Sequence, residues 1–219
     1  MKKLTMAIFL MLVLSVSATQ VYALSAIDIT PNPTISRTGN YSLGWEFTAN
    51  ADIWVTALGF YDAGQDGLNT THEVGIFGLD QSLLTQTTVG SGTSATLDGW
   101  FRYNLVDNAL KLSAGLTYLI AAVTTGDSFT ERPLSFTSQP QITYVGRAYA
   151  NVTSSTVVFP SKIYSFNGSY YYFGPNFQFV TEDPNKVVDP PLNTPEPSTL
   201  ILLGLGLVSV AVLGRKKLS

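Results

Sequence analysis

Ile53-Trp54-Val55-Thr56-Ala57-Leu58-Gly59-Phe60-Tyr61 carries no charge and runs into Asp62-Ala63-Gly64-Gln65-Asp66-Gly67. Extended, the first stretch sends Ile53, Val55 and Ala57 to one face and Trp54, Thr56 and Leu58 to the other. The second has the glycines and acids of a tight turn. The same alternation of β-rich run and turn recurs along the chain. It predicts strands near Tyr41–Thr48, Ile53–Tyr61, Glu73–Gly78, Leu83–Val89, Phe101–Leu105, Thr117–Thr124, Ile142–Ala150, Tyr170–Phe173 and Asn176–Thr181. Asn176-Phe177-Gln178-Phe179-Val180 alternates polar and apolar, as a half-buried strand does. Turns are read at Gly90-Ser-Gly92, Asp98-Gly99 and Asn167-Gly168. Long stretches of 3.6 period are missing, as are repeats of propeller or solenoid length. The expected fold is all-β: an antiparallel β-sandwich of jelly-roll type over residues 24–181.

The chain has 219 residues, 45% of them hydrophobic and 12% charged. It contains no cysteine, which excludes disulfides, thiolate metal sites and a cysteine nucleophile. Its one histidine, His72, cannot build a multi-histidine metal site. Twelve basic against fifteen acidic side chains give −3, no footprint for nucleic acid. Five of the cations sit at the ends: Lys2, Lys3, Arg215, Lys216 and Lys217. Between them remain seven basic and fifteen acidic side chains, a net of −8. Cations beside hydrophobic runs, with an acidic body between, are a topological pattern.

Lys2-Lys3, the apolar run Met6 to Val16 and small residues up to Ala23 make a secretory signal peptide over residues 1–23. Cleavage after Ala23 is favoured, with Ala18 and Ala26 as alternatives. A helix over the apolar run is roughly 16 Å long, too short for a hydrocarbon core of ~30 Å. At the other end, residues 182–194 hold three acids and three prolines and read as a spacer. Pro195-Glu196-Pro197-Ser198 then leads into an uncharged span, 199–214, with Arg215-Lys216-Lys217 behind it. Such a helix is roughly 24 Å long and reaches across only a thinned or snorkelled bilayer. The cations favour the cytoplasmic side, so the module lies outside.

This end, residues 195–219, resembles the PEP-CTERM sorting signal: a Pro-Glu-Pro motif, a Leu/Gly-rich transmembrane helix and a basic tail. The resemblance implies recognition of Pro195, Glu196 and Pro197 by an exosortase, a membrane-embedded protease. It also implies an exported protein of a bacterium that makes exopolysaccharide, anchored in the inner membrane and then released to surface or matrix. The tail is Lys-rich where Arg clusters are more usual. Gly44-Trp45-Glu46-Phe47-Thr48, His72-Glu73-Val74-Gly75-Ile76-Phe77, Gly99-Trp100-Phe101-Arg102-Tyr103 and Phe173-Gly174-Pro175-Asn176-Phe177 resemble a recurring β-sandwich module of uncharacterised function. That likeness brings no activity with it.

Three features could carry chemistry. Asp62, Gln65 and Asp66 gather oxygens on a Gly-containing loop, a donor set suited to Ca²⁺, the one candidate cofactor; the competing reading is a solvated hairpin. Tyr170 and Tyr172 fall on one face of Tyr170-Tyr171-Tyr172-Phe173 and could stack on sugar rings, unless they are core. His72 and Glu73 are adjacent, hence on opposite faces of a strand, and read as structural. There is no G-x-S-x-G elbow, and no catalytic residue is assigned. The expectation is a non-catalytic envelope protein with a carbohydrate- or Ca²⁺-binding module. The alternative is a secreted polysaccharide hydrolase, which needs two carboxylates about 5–10 Å apart in a cleft.

Overall fold

A computed structural model describes residues 22–31, 36–165, 170–186, 201–202 and 204–205. The chain divides into two compact units, Met1–Pro184 and Asn185–Ser219. The Pro195-Glu196-Pro197 motif, and most of the expected signal peptide and 199–214 helix, lie outside the described residues. Among those described, no helix is long and apolar enough to cross a membrane.

The described residues of the first unit are all-β. In chain order its strands are β1 (Leu24–Ser25), β2 (Ile27–Thr30), β3 (Ser36–Arg37), β4 (Tyr41–Ala49) and β5 (Ile53–Tyr61). There follow β6 (His72–Gly78), β7 (Leu83–Val89), β8 (Thr96–Asp98), β9 (Phe101–Leu112) and β10 (Thr117–Val123). The last are β11 (Phe129–Thr130), β12 (Ser135–Ser138), β13 (Ile142–Asn151), β14 (Lys162–Ser165) and β15 (Pro175–Val180). A five-stranded sheet has the order β1-β15-β5-β9-β8, and a six-stranded sheet β14-β13-β4-β10-β6-β7. Two short ladders, β11-β3 and β12-β2, complete the unit. Every ladder pairing is antiparallel.

Alternation in β4 builds the main core. Trp45 and Phe47 are fully buried and pack on Phe177 of β15 at centroid distances of 5.8 and 4.9 Å. The opposite face of β4 holds Ser42 and Gly44. On that face Leu119, Ala121 and Val123 of β10 and Ala148 of β13 form a second, smaller cluster with Phe77 and Val157. Val152 and Phe159, from the chain between β13 and β14, pack on it.

Two strands depart from the sequence expectation. β9 runs on to Leu112, well past Leu105, because a register shift between Val55 and Ala57 of β5 absorbs Val106 to Ala109 and lets pairing resume at Leu110. The segment Tyr170–Phe173 is not a strand. Its backbone meets β11 through Tyr171 N–H to Glu131 O and a two-way bridge between Phe173 and Thr130. With β11 only two residues long, the ladder has nowhere to extend.

Candidate functional site

Register places a set of ring-bearing and cationic side chains on one flank of the six-stranded sheet. Tyr41, Leu43 and Trp45 alternate onto one face of β4. Their partners on β13 are Asn151, Tyr149 and Arg147. Tyr149 and Arg147 in turn face Lys162 and Tyr164 of β14. Directly paired side chains stand about 4.5–5.5 Å apart at Cβ, so the three strands present one continuous surface. The β3-β11 ladder and the Tyr170–Phe173 segment close over part of it, bringing Phe129, Glu131 and Tyr172.

Four rings there form a closed box. Centroid distances are 6.3 Å for Tyr41–Phe129, 5.9 Å for Phe129–Tyr172, 5.8 Å for Tyr172–Tyr149 and 5.8 Å for Tyr149–Tyr41. Each pair is close to perpendicular, between 83° and 87°. This edge-to-face geometry suits aromatic quadrupoles. The rings line a cavity of about 240 Å³ together with Arg37, Thr38, Leu43, Glu131 and Asn151. Arg37 Nε and the Glu131 carboxylate form an ion pair at its mouth, with the Arg37 side chain 59% exposed. Burial pushes the Tyr172 hydroxyl above its usual value against the pull of Arg147. It therefore stays a neutral phenol, able to donate or accept.

Cations border the box. The Arg147 guanidinium lies 5.5 Å from the Tyr172 centroid, 5.0 Å from Tyr170 and 5.1 Å from Tyr164. Its Nη1 donates to Tyr170 O at 3.2 Å. Arg132 covers Tyr170 at 3.9 Å, and Lys162 lies over Tyr149 at 5.0 Å.

A family model described as a domain of unknown function, DUF4082, matches residues 28–173, which include this box and both large sheets apart from β15 and the short β1. The chain belongs to the DUF4082 family. Residues 193–217 match the PEP-CTERM protein-sorting motif, so the resemblance read from Pro195, Glu196 and Pro197 is shown. That motif makes the chain an exported protein, processed by a membrane exosortase and sorted to the envelope. No curated protein matches the chain.

The residues singled out in the DUF4082 sequence fare differently. Tyr172 lines the box, whereas Tyr170 lies outside it with its ring under Arg132 and Arg147. The alternation read for this segment holds without a strand, since Tyr171 and Phe173 turn to the main core. In the turn after β5, Gly64 and Gly67 take φ of +98° and +115°, the left-handed backbone that glycine adopts without strain. Asp62 is 1% exposed, and Arg102 Nε donates to its Oδ2 at 2.6 Å. Gly67 N–H donates to the same oxygen at 3.0 Å. Arg102 Nη2 donates to the Gln65 carbonyl at 3.3 Å, and Asp66 is exposed. The Arg102 guanidinium thus pairs with Asp62, one of the three residues that the sequence offered to Ca²⁺. Among the described residues no three His, Asp or Glu side chains gather as a metal would need.

His72 begins β6, fully buried, its ring stacked on Phe60 at 3.8 Å. Nδ1 donates to Val123 O at 2.7 Å, and Nε2 lies 2.9 Å from Asp127 Oδ2. Glu73 points the other way and accepts from Val157 N–H at 2.9 Å. Burial alone would raise the Asp127 carboxyl. Donors from Asn69, His72 and Thr70 outweigh that and hold it below the usual carboxylate range. Sequence reasoning missed Tyr149, Phe129, Glu131 and Arg147. Only long-range pairing assembles them: the β4–β13 register brings Tyr149 and Arg147 beside Tyr41, and the β3-β11 ladder brings Phe129 and Glu131.

Proposed function

We propose that this chain is a non-catalytic envelope protein whose DUF4082 domain is a β-sandwich that binds saccharide. In this reading the 199–214 helix anchors the domain outside the cytoplasm until exosortase acts. The sandwich reading is supported by a core shared between the two large sheets. Its jelly-roll form is supported by the strand order. Successive long strands β4, β5 and β6 alternate between the sheets, and the first strand lies beside the last, β1 next to β15.

The observation that carries the binding reading is the box of Tyr41, Phe129, Tyr149 and Tyr172 around a cavity of about 240 Å³. Such a space suits a single sugar unit. Tyrosine offers sugars an apolar ring face and a hydroxyl together. The hydrolase alternative finds less support. Among the described residues Glu131 is the one carboxylate lining the box, and Arg37 is paired to it. Asp127, in the neighbouring depression beside Asp66, is held low, the opposite of a general acid.

A glycan array probed with the full chain, purified in detergent, tests the reading. Binding should appear with wild type and drop at least roughly tenfold in Tyr149→Ala and Tyr172→Ala, with melting temperature retained. Undiminished binding in both variants would move the site elsewhere.

A further inference from the structure

The cations of the domain are distributed unevenly. Residues 24–181 hold eleven carboxylates and six basic side chains. Two of the six are committed elsewhere: Arg102 is buried on Asp62, and Lys111 pairs with Asp52 at 2.7 Å. Of the other four, Arg37 lines the aromatic box and Arg147 and Lys162 lie against its Tyr172 and Tyr149 rings, while Arg132 covers Tyr170 just outside it. Glu131 is the carboxylate that opposes them there, and it is paired with Arg37. None of Arg132, Arg147 and Lys162 is ion-paired with a described carboxylate; their charges lie over tyrosine rings instead. An otherwise acidic domain therefore carries one positive patch, placed on its ring-lined cavity.

Geometry alone leaves two ligand types open. A closed circuit of four rings could hold an alkylammonium by its attraction to ring faces. The unpaired Arg147 and Lys162 beside the box oppose that occupant, because like charges brought together in a partly desolvated cavity repel. A neutral sugar would meet no repulsion but would leave the cations without a partner. A ring-bearing anion satisfies both features. Its apolar face packs on tyrosine while its carboxylate takes charge-assisted hydrogen bonds from guanidinium.

The geometry points to an anionic saccharide of the uronate type as the ligand of this box, its ring against Tyr41, Tyr149 and Tyr172 and its carboxylate met by Arg147, with Lys162 and Arg37 at the rim. This deepens the saccharide reading and rests on it.

The test measures binding of the full chain in detergent to polygalacturonate, to dextran and to polyglutamate. Polygalacturonate should bind, dextran at least roughly tenfold more weakly, and polyglutamate no better than dextran. Binding should weaken at about 1 M salt, where the screening length falls to about 3 Å. Arg147→Gln should weaken polygalacturonate binding roughly tenfold, a larger loss than it causes for dextran. Lys162→Gln, at an exposed edge position, should shift it in the same direction without risk to folding. Equal binding of dextran and polygalacturonate would overturn the anionic class and leave the saccharide reading standing. Polyglutamate binding as tightly as polygalacturonate would reduce the patch to a general polyanion surface and overturn both. Binding of none would also overturn both.

Discussion

Asp127 accepts from the Asn69 and Thr70 backbone N–H groups at 2.9 and 3.0 Å and faces His72 Nε2, so one carboxylate ties the turn before β6 to the turn after β10. Its carboxyl is held below the usual range in the folded chain. The stability it contributes is therefore fully present above the unfolded carboxylate value, near 4, and is lost as pH falls through the folded value. Asp127→Asn should cost about 2–4 kcal/mol at pH 7 by urea unfolding, and its deficit against wild type should shrink below about pH 4. The buried Arg102–Asp62 pair gives a second expectation. Arg102→Met leaves Asp62 uncompensated and should cost about 3–5 kcal/mol, most of it recovered in the double variant with Asp62→Asn. With the guanidinium in place, wild type should melt at the same temperature in Ca²⁺ and in chelator. A Ca²⁺-dependent rise in melting temperature would show that a cation competes at this loop.

Among the elements, β4 is the most constrained, since it pairs on both sides and packs on both faces. A Cβ at Gly44 would come 1.8 Å from the Ile120 carbonyl oxygen, a backbone atom that cannot step aside. Gly44→Ala should destabilise by about 1–3 kcal/mol or more, read as a lower urea midpoint with an unchanged m-value. Strands of this kind were legible from sequence. The alternation of Trp45 and Phe47, and of Phe177 and Phe179, declares its buried face locally. The two-residue strands β1, β3 and β11 were not legible, because they hold no alternation and exist only where a partner strand supplies one. The candidate site divides the same way. Tyr172 stood out in a run of tyrosines, yet Tyr41, Phe129, Tyr149 and Arg147 lie far apart in the chain and meet only through register. Arg102 was hidden for the same reason: nothing at position 102 announces that Asp62, forty residues earlier, will be buried against it.

At the scale of the whole molecule, the two matched segments divide the labour: residues 28–173 form the domain, and residues 193–217 send it to the envelope. The second segment sets a demand on the first. An envelope protein functions after processing only if its ligand site lies within the part that is released, and every residue of the proposed box precedes the motif. The chemistry of the tail itself is separable from folding, because Pro195, Glu196 and Pro197 fall in the unit after Pro184. In sequence terms, two prolines around one acid are a poor fit to a helix, because proline lacks the N–H and restricts the residue before it. Replacing all three with alanine removes both the acid and the constraint, and it lets a helix begin earlier. In a host that supplies the exosortase, wild type should yield a shorter species freed from the membrane fraction, while the triple-alanine variant should stay full-length in that fraction. Both should bind saccharide alike after detergent extraction, which separates a sorting defect from a folding one. Equal processing of the two on an immunoblot would show that Pro195-Glu196-Pro197 is not what the partner reads.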